Sequence, residues 1–129
     1  MKSNIHPTVI LDIPQDRLEI GTDVLLQPYV VILGREHISI GDGTFISPNV
    51  TITDLDHNLE LPYSNIQYHG KKAPINIGKH CWVGSNAVIL KGVTLGDGCV
   101  VGAGAVVTKS FPKGSIIVGN PARLLRKRT

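Results

Sequence analysis

Aliphatic residues recur at every sixth position over a long stretch of the chain: Ile77, Val83, Ile89, Leu95, Val101 and Val107. Glycine follows four of these six, as Gly78, Gly84, Gly96 and Gly102. Four positions after an aliphatic comes a compact side chain: Cys81, Ala87, Val93, Cys99 and Ala105. An earlier run repeats the scheme with Ile20-Gly21, Leu26 and Ile32, then Ile40-Gly41, Ile46 and Ile52. Its compact partners include Val24, Val30, Thr44 and Val50. Self-similarity at a fixed short period is the mark of a solenoid.

Each hexapeptide therefore predicts one short strand and one corner. Side chains alternate along a strand, so the compact residue and the aliphatic two positions later both point inward. Glycine after the aliphatic suits the corner, because it lacks a Cβ. Three hexapeptides make an 18-residue coil, which puts Ile77 under Leu95, Val83 under Val101 and Ile89 under Val107. Successive coils then stack about 4.8 Å apart through parallel hydrogen bonds. The expected fold is all-β: a left-handed parallel β-helix, one domain over residues 1–129. Cys81 and Cys99 fall on the same inward site of adjacent coils, with parallel rather than convergent Cβ vectors, and read as buried reduced thiols.

The period breaks twice. Between Ile32 and Ile40 the step is eight residues, which leaves two extra near Gly34-Arg35-Glu36-His37. The larger break, about 54–74, is a polar loop, DLDHNLELPYSNIQYHGKKAP, with no hexad. Long loops in small domains tend to carry function. The chain closes with a short tail or helix over 119–129, GNPARLLRKRT.

Composition fits a narrow prism. Aromatic residues are only 5% of the 129, so Ile, Val and Leu must fill the interior almost alone. The net charge of +3 brings no basic stripe interleaved with aromatics, which excludes a nucleic-acid reading. No apolar run reaches the roughly 18 residues of a membrane span, and no charged-then-apolar leader opens the chain, so a cytoplasmic protein is expected.

Of five histidines, His57 stands at the root of the long loop behind Asp54 and Asp56. An imidazole there can serve as a general base. His69, within the loop, is a weaker candidate, and His6, His37 and His80 read as surface residues. A zinc site is not expected: His37, His57 and His80 do not stack on an 18-residue coil, and no CxxC or HxxxH pair occurs. Gly102 and Gly104 lack the third glycine of a dinucleotide fingerprint and read as hexad corners.

The hexads, the loop opening TDLDHN, the run INIGKHCWVGSNAVILKGVTLGDGCVVGAGAVVTK and the ending VGNPARLLRKR together resemble the hexapeptide-repeat acyltransferases. The similarity is to their sugar and polysaccharide O-acetyltransferase branch, which includes the galactoside and maltose acetyltransferases. It covers roughly residues 20–128 and is most specific from Ile75 onward. The resemblance implies acetyl-CoA as co-substrate, no metal, a homotrimer with each site between two solenoids, and a sugar or glycan hydroxyl as acceptor. It makes His57 the catalytic base and Ser85 a residue lining the pantetheine arm. It gives Ala103 a backbone contact to the cofactor, and sets Thr108, Lys109, Arg123 and Arg126 near adenine and phosphates. Trp82, beside Ser85, is expected to pack on cofactor or acceptor, and Asp54 to reach the acceptor. The helical N-terminal segment of the galactoside and maltose enzymes has no counterpart, with 19 residues before Ile20. Their acceptor-binding Asn falls, by ungapped counting, at Gln27. These departures leave the acceptor open, and with it an amino-sugar N-acetyltransferase or a silent scaffold as alternatives.

Overall fold

The computed structural model describes residues 2–62 and 70–129. The chain winds as the left-handed parallel β-helix predicted by its hexads. Three flat faces form the prism, numbered here in chain order. The first face stacks Asn4–Ile5, Leu25–Leu26, Phe45–Ile46, Trp82–Val83, Val100–Val101, Ser115–Gly119 and Ala122–Lys127. The second stacks Ile10–Asp12, Val31–Leu33, Thr51–Thr53, Val88–Ile89 and Val106–Val107. Leu18–Ile20, Ile38–Ile40, Ile75–Ile77 and Thr94–Leu95 make the third.

The predicted stacking is the observed register, with Ile77 on Leu95, Val83 on Val101 and Ile89 on Val107. These aliphatic residues, with compact Ala87, Val93 and Ala105, are at most 2% exposed and fill the prism. Thr44 occupies a compact inward site and is fully buried. Its Oγ1 donates to the Gly78 carbonyl at 2.7 Å and accepts from the Cys81 N–H at 3.1 Å, so the buried hydroxyl is fully paired. Cys81 and Cys99 are both free thiols and buried.

Corners favour left-handed backbone. Tyr29, Asn49, Asn86 and Gly104 occupy one corner column with φ between 63° and 72°. Asn and Gly tolerate that region; Tyr29 is the bulky exception.

Three features differ from expectation. The solenoid begins earlier, because Asn4–Ile5 and Ile10–Asp12 already pair with the coil above. A 3₁₀ turn at Gln15–Arg17 adds residues to that coil, so Ile5 lies 21 positions before its partner Leu26 and the hexad is hidden. The 54–74 loop is not structureless at its root: Leu55–Asp56 pairs antiparallel with Lys71–Lys72. Finally, the C-terminal segment is no helix. The chain turns through the cis Asn120–Pro121 peptide, and Ala122–Lys127 pairs antiparallel with Ser115–Gly119 across a bulge at Ile116/Ile117. A helix this short is marginal in water, whereas the open edge of the first face satisfies the strand's backbone groups.

Candidate functional site

His57 follows the strand Leu55–Asp56 at the edge joining the second and third faces. Its side chain lines a cleft of about 300 Å³ with Asp12, Leu33, Arg35, Thr53, Leu55 and Asp56. Three successive coils thus contribute one wall each. Arg35 enters from the eight-residue step in the repeat. Its Nη1 donates to the carbonyls of Asp12, at 3.0 Å, and Gly34, at 2.6 Å, and lies 3.3 Å from the Asp12 carboxylate. Lys91, one coil beyond, holds Asp56 Oδ2 at 3.0 Å.

Asp54 does something other than expected. It is fully buried, and both carboxylate oxygens are consumed by backbone: Oδ1 accepts from Arg35 N–H, and Oδ2 from the Glu36 and His37 N–H groups, each at 2.9 Å. A carboxylate so occupied cannot reach an acceptor. It brackets the two extra residues of the coil beneath and fixes the backbone that presents Arg35.

The remaining expected residues lie elsewhere. Ser85 and Ala103 stack at the edge between the first and second faces, where the Gly104 N–H donates to the Ser85 carbonyl at 2.9 Å. Gln27 begins the same edge lower down. Trp82, 54% exposed, projects from the first face into an apolar groove of about 490 Å³ with Phe45 and Pro48, its Nε1–H donating to Ser47 Oγ at 3.0 Å. Thr108 and Lys109 are exposed at the upper end of the His57 edge, and the Lys109 ammonium stands 5.7 Å from the Phe111 ring centroid. Arg123 and Arg126 are exposed on the last strand. His37 meets Glu19 at 3.6 Å away from the cleft, and His69 lies outside the described residues. Among the described residues no cluster of three or more metal-ligating side chains occurs, and no helix is long and apolar enough to cross a membrane.

One chain therefore brings His57 together with Arg35, Asp12 and Asp56, and keeps Ser85, Ala103 and Trp82 on another edge and face. The outer surfaces follow this division. The first face presents Leu25, Phe45, Trp82, Val100 and Ile116, and the second Val31, Thr51, Val88 and Val106. The third presents polar Glu19, Ser39, Asn76 and Thr94. Charge divides along the axis, since no acidic residue follows Asp97 while Lys109, Lys113, Arg123, Arg126, Lys127 and Arg128 all do. Sequence reasoning missed Asp12, Arg35 and Lys91. The eight-residue step located Arg35's neighbourhood, but nothing local marked which side chains would face the cleft.

Residues 74–109 match the family model described as the hexapeptide repeat of succinyl-transferase. The chain is 50% identical over 109 residues to nodulation protein L of Rhizobium leguminosarum bv. viciae, covering 83% of this chain and 56% of that one. It spans little more than half the length of such curated relatives. A hexapeptide-repeat containing acetyltransferase from Vibrio cholerae, solved in complex with acetyl coenzyme A, superposes with a TM-score of 0.90 at 32% identity, covering 98% of this chain and 68% of the other. A maltose O-acetyltransferase from Clostridium difficile gives a TM-score of 0.88 at 30% identity, with 99% and 67% covered.

Proposed function

Since this chain belongs to the hexapeptide-repeat acyltransferase family, we propose that it moves an acetyl group from acetyl-CoA to a hydroxyl of a sugar or glycan, with His57 as general base. The observation that carries this reading is the placement of His57 in a cleft walled by three coils, beside Asp12, Arg35 and Asp56. In this reaction an imidazole nitrogen takes the acceptor's hydroxyl proton as its oxygen attacks the thioester carbonyl. A C–O bond forms, the C–S bond breaks, and the thiolate leaves with the proton held by the imidazolium. Asp12 and Arg35 offer a carboxylate and a guanidinium fork to the acceptor's other hydroxyls.

The donor set suits the co-substrate. Ser85 and Ala103 give a small-residue edge along which a pantetheine arm can run. A Cβ built on Gly104 would meet nothing within 4 Å, so the edge is open there. Lys109, Arg123 and Arg126 supply cations for phosphates. His57 and this edge belong to different sides of one prism, the first outer face is apolar, and the second mixes apolar Val31, Val88 and Val106 with Thr51. Packing the first face of one copy against the second face of the next would bury both and close a site from two chains, which favours a homotrimer. Acetyl-CoA as donor and two unpaired thiols fit a cytoplasmic setting.

The test is release of free coenzyme A thiol when the protein meets acetyl-CoA and a panel of neutral sugars, oligosaccharides and amino sugars. Release driven by hydroxyl acceptors is expected. Release with amino sugars alone would move the reaction to nitrogen, and none with any acceptor despite CoA binding would leave a silent scaffold.

A further inference from the structure

We infer that the upper end of the solenoid, where the chain closes, is a docking surface for an anionic lipid bilayer. Up to and including Asp97 the chain carries seven lysines and arginines against ten acidic residues, a net −3. Beyond Asp97 it carries six cations and no acidic residue, a net +6. All six, Lys109, Lys113, Arg123, Arg126, Lys127 and Arg128, are exposed. Among the described residues the ion pairs fall on Arg35, His37 and Lys91, so no carboxylate neutralises any of the six. A dipole of this sense turns the upper end toward a negative plane.

The same end exposes two leucines among its cations. Ala122–Lys127 is the last strand of the first face, and no described strand lies beyond it. Leu124 is in register with Ile117, which is fully buried, yet Leu124 is 49% exposed and Leu125 62%. Arg123 and Arg126 flank the pair along the strand. Lys127 Nζ donates to the Lys113 carbonyl at 3.0 Å, and Arg128 Nη1 to the Gly98 carbonyl at 3.0 Å, which gathers Lys113, Lys127 and Arg128 at one corner. A site for a free phosphate needs cations but no exposed leucines, and the core of a protein interface is depleted of lysine. Anionic headgroups over an apolar layer match both features: the cations meet the headgroups and the leucines insert just beneath them. Docking of this kind needs neither His57 nor acetyl transfer.

The experiment sediments the full chain with vesicles of phosphatidylcholine, alone or with about one-third phosphatidylglycerol, at low and at physiological salt. Wild type should bind the anionic vesicles about tenfold or more better than the neutral ones, and less as salt rises. Lys113→Glu/Arg128→Glu should weaken that binding about tenfold or more, and Leu124→Ser/Leu125→Ser should weaken it severalfold. Lys2→Glu/Arg17→Glu makes the same charge change near the opposite end, and should leave binding within about twofold because salt screens distant charges. Tm is read for each variant, and the charge pair carries the test if the leucine pair fails to fold. Saturating coenzyme A should leave vesicle binding in place, since Lys113, Lys127 and Arg128 lie outside the cations set near its phosphates. Equal binding to both vesicles, no binding to either, or equal loss in the two charge-reversed pairs would overturn the inference. So would a folded leucine pair that binds like wild type, or abolition by coenzyme A, which would assign the cations to the cofactor alone.

Discussion

Cys99 lies one coil above Cys81, and each spends its thiol on a carbonyl instead of on the other. Cys81 Sγ donates to the Gly96 carbonyl at 3.3 Å, and Cys99 Sγ to the Pro112 carbonyl at 3.2 Å. Burial pushes the Cys81 thiol from 9.0 up to about 11, with the neighbouring Cys99 sulfur adding a smaller push.

Both thiols should resist an aromatic disulfide reagent in the native state and react only as fast as the solenoid opens. The pH dependence has a definite sign. The folded thiol holds its proton where the unfolded one has lost it, so this contribution to stability is complete below pH 9 and is lost as pH rises to about 11. Urea midpoints measured across that window should fall less steeply in Cys81→Ala than in wild type.

Asp54→Ala strips the acceptor from three backbone N–H groups at once. It should cost about 3 kcal/mol or more in urea unfolding, because each buried donor loses a charge-assisted partner. Arg35 would lose its fixed presentation, so a variant that still folds should also bind acceptor less well.

Corner glycines should divide by what surrounds them. A Cβ on Gly41 would stand 2.6 Å from the Gly78 carbonyl carbon and 2.7 Å from the Lys79 nitrogen, both main chain of the next coil. Gly41→Ala must then push neighbouring coils apart and should cost about 2–3 kcal/mol. Gly104 has φ +72° but open space around it. Gly104→Ala should cost only the left-handed backbone, about 1 kcal/mol. Paired thermal melts check both.

These glycines show how legible the chain was. Ile77, Val83 and Ile89 announced the prism because inward packing admits one residue type at one spacing. The first coil was hidden because the turn at Gln15–Arg17 shifts Ile5 out of step, and Ile5 and Leu11 are 41% and 42% exposed at the end of the stack. Asp54 shows the limit for sites. A carboxylate near a loop histidine looks the same in sequence whether it faces solvent or accepts three N–H groups, and only the fold of 34–37 decides. Lys91 is sequence-distant from His57 and meets Asp56 only because a 37-residue offset stacks Ile89 on Ile52.

A site shared between neighbours should show complementation. His57→Gln and Ala103→Trp chains, each inactive alone, should regain about a quarter of wild-type turnover when assembled together, the fraction of random interfaces that join two intact halves. A mixture that stays inactive would place the whole site on one chain.

The most direct measurement is acetyl transfer by His57→Gln beside its affinity for coenzyme A. Turnover should fall by about 10²–10⁴ while CoA binds as in wild type, because proton removal is lost and the small-residue edge is untouched. Full turnover by this variant would contradict the assignment of the base, and with it the account of the cleft.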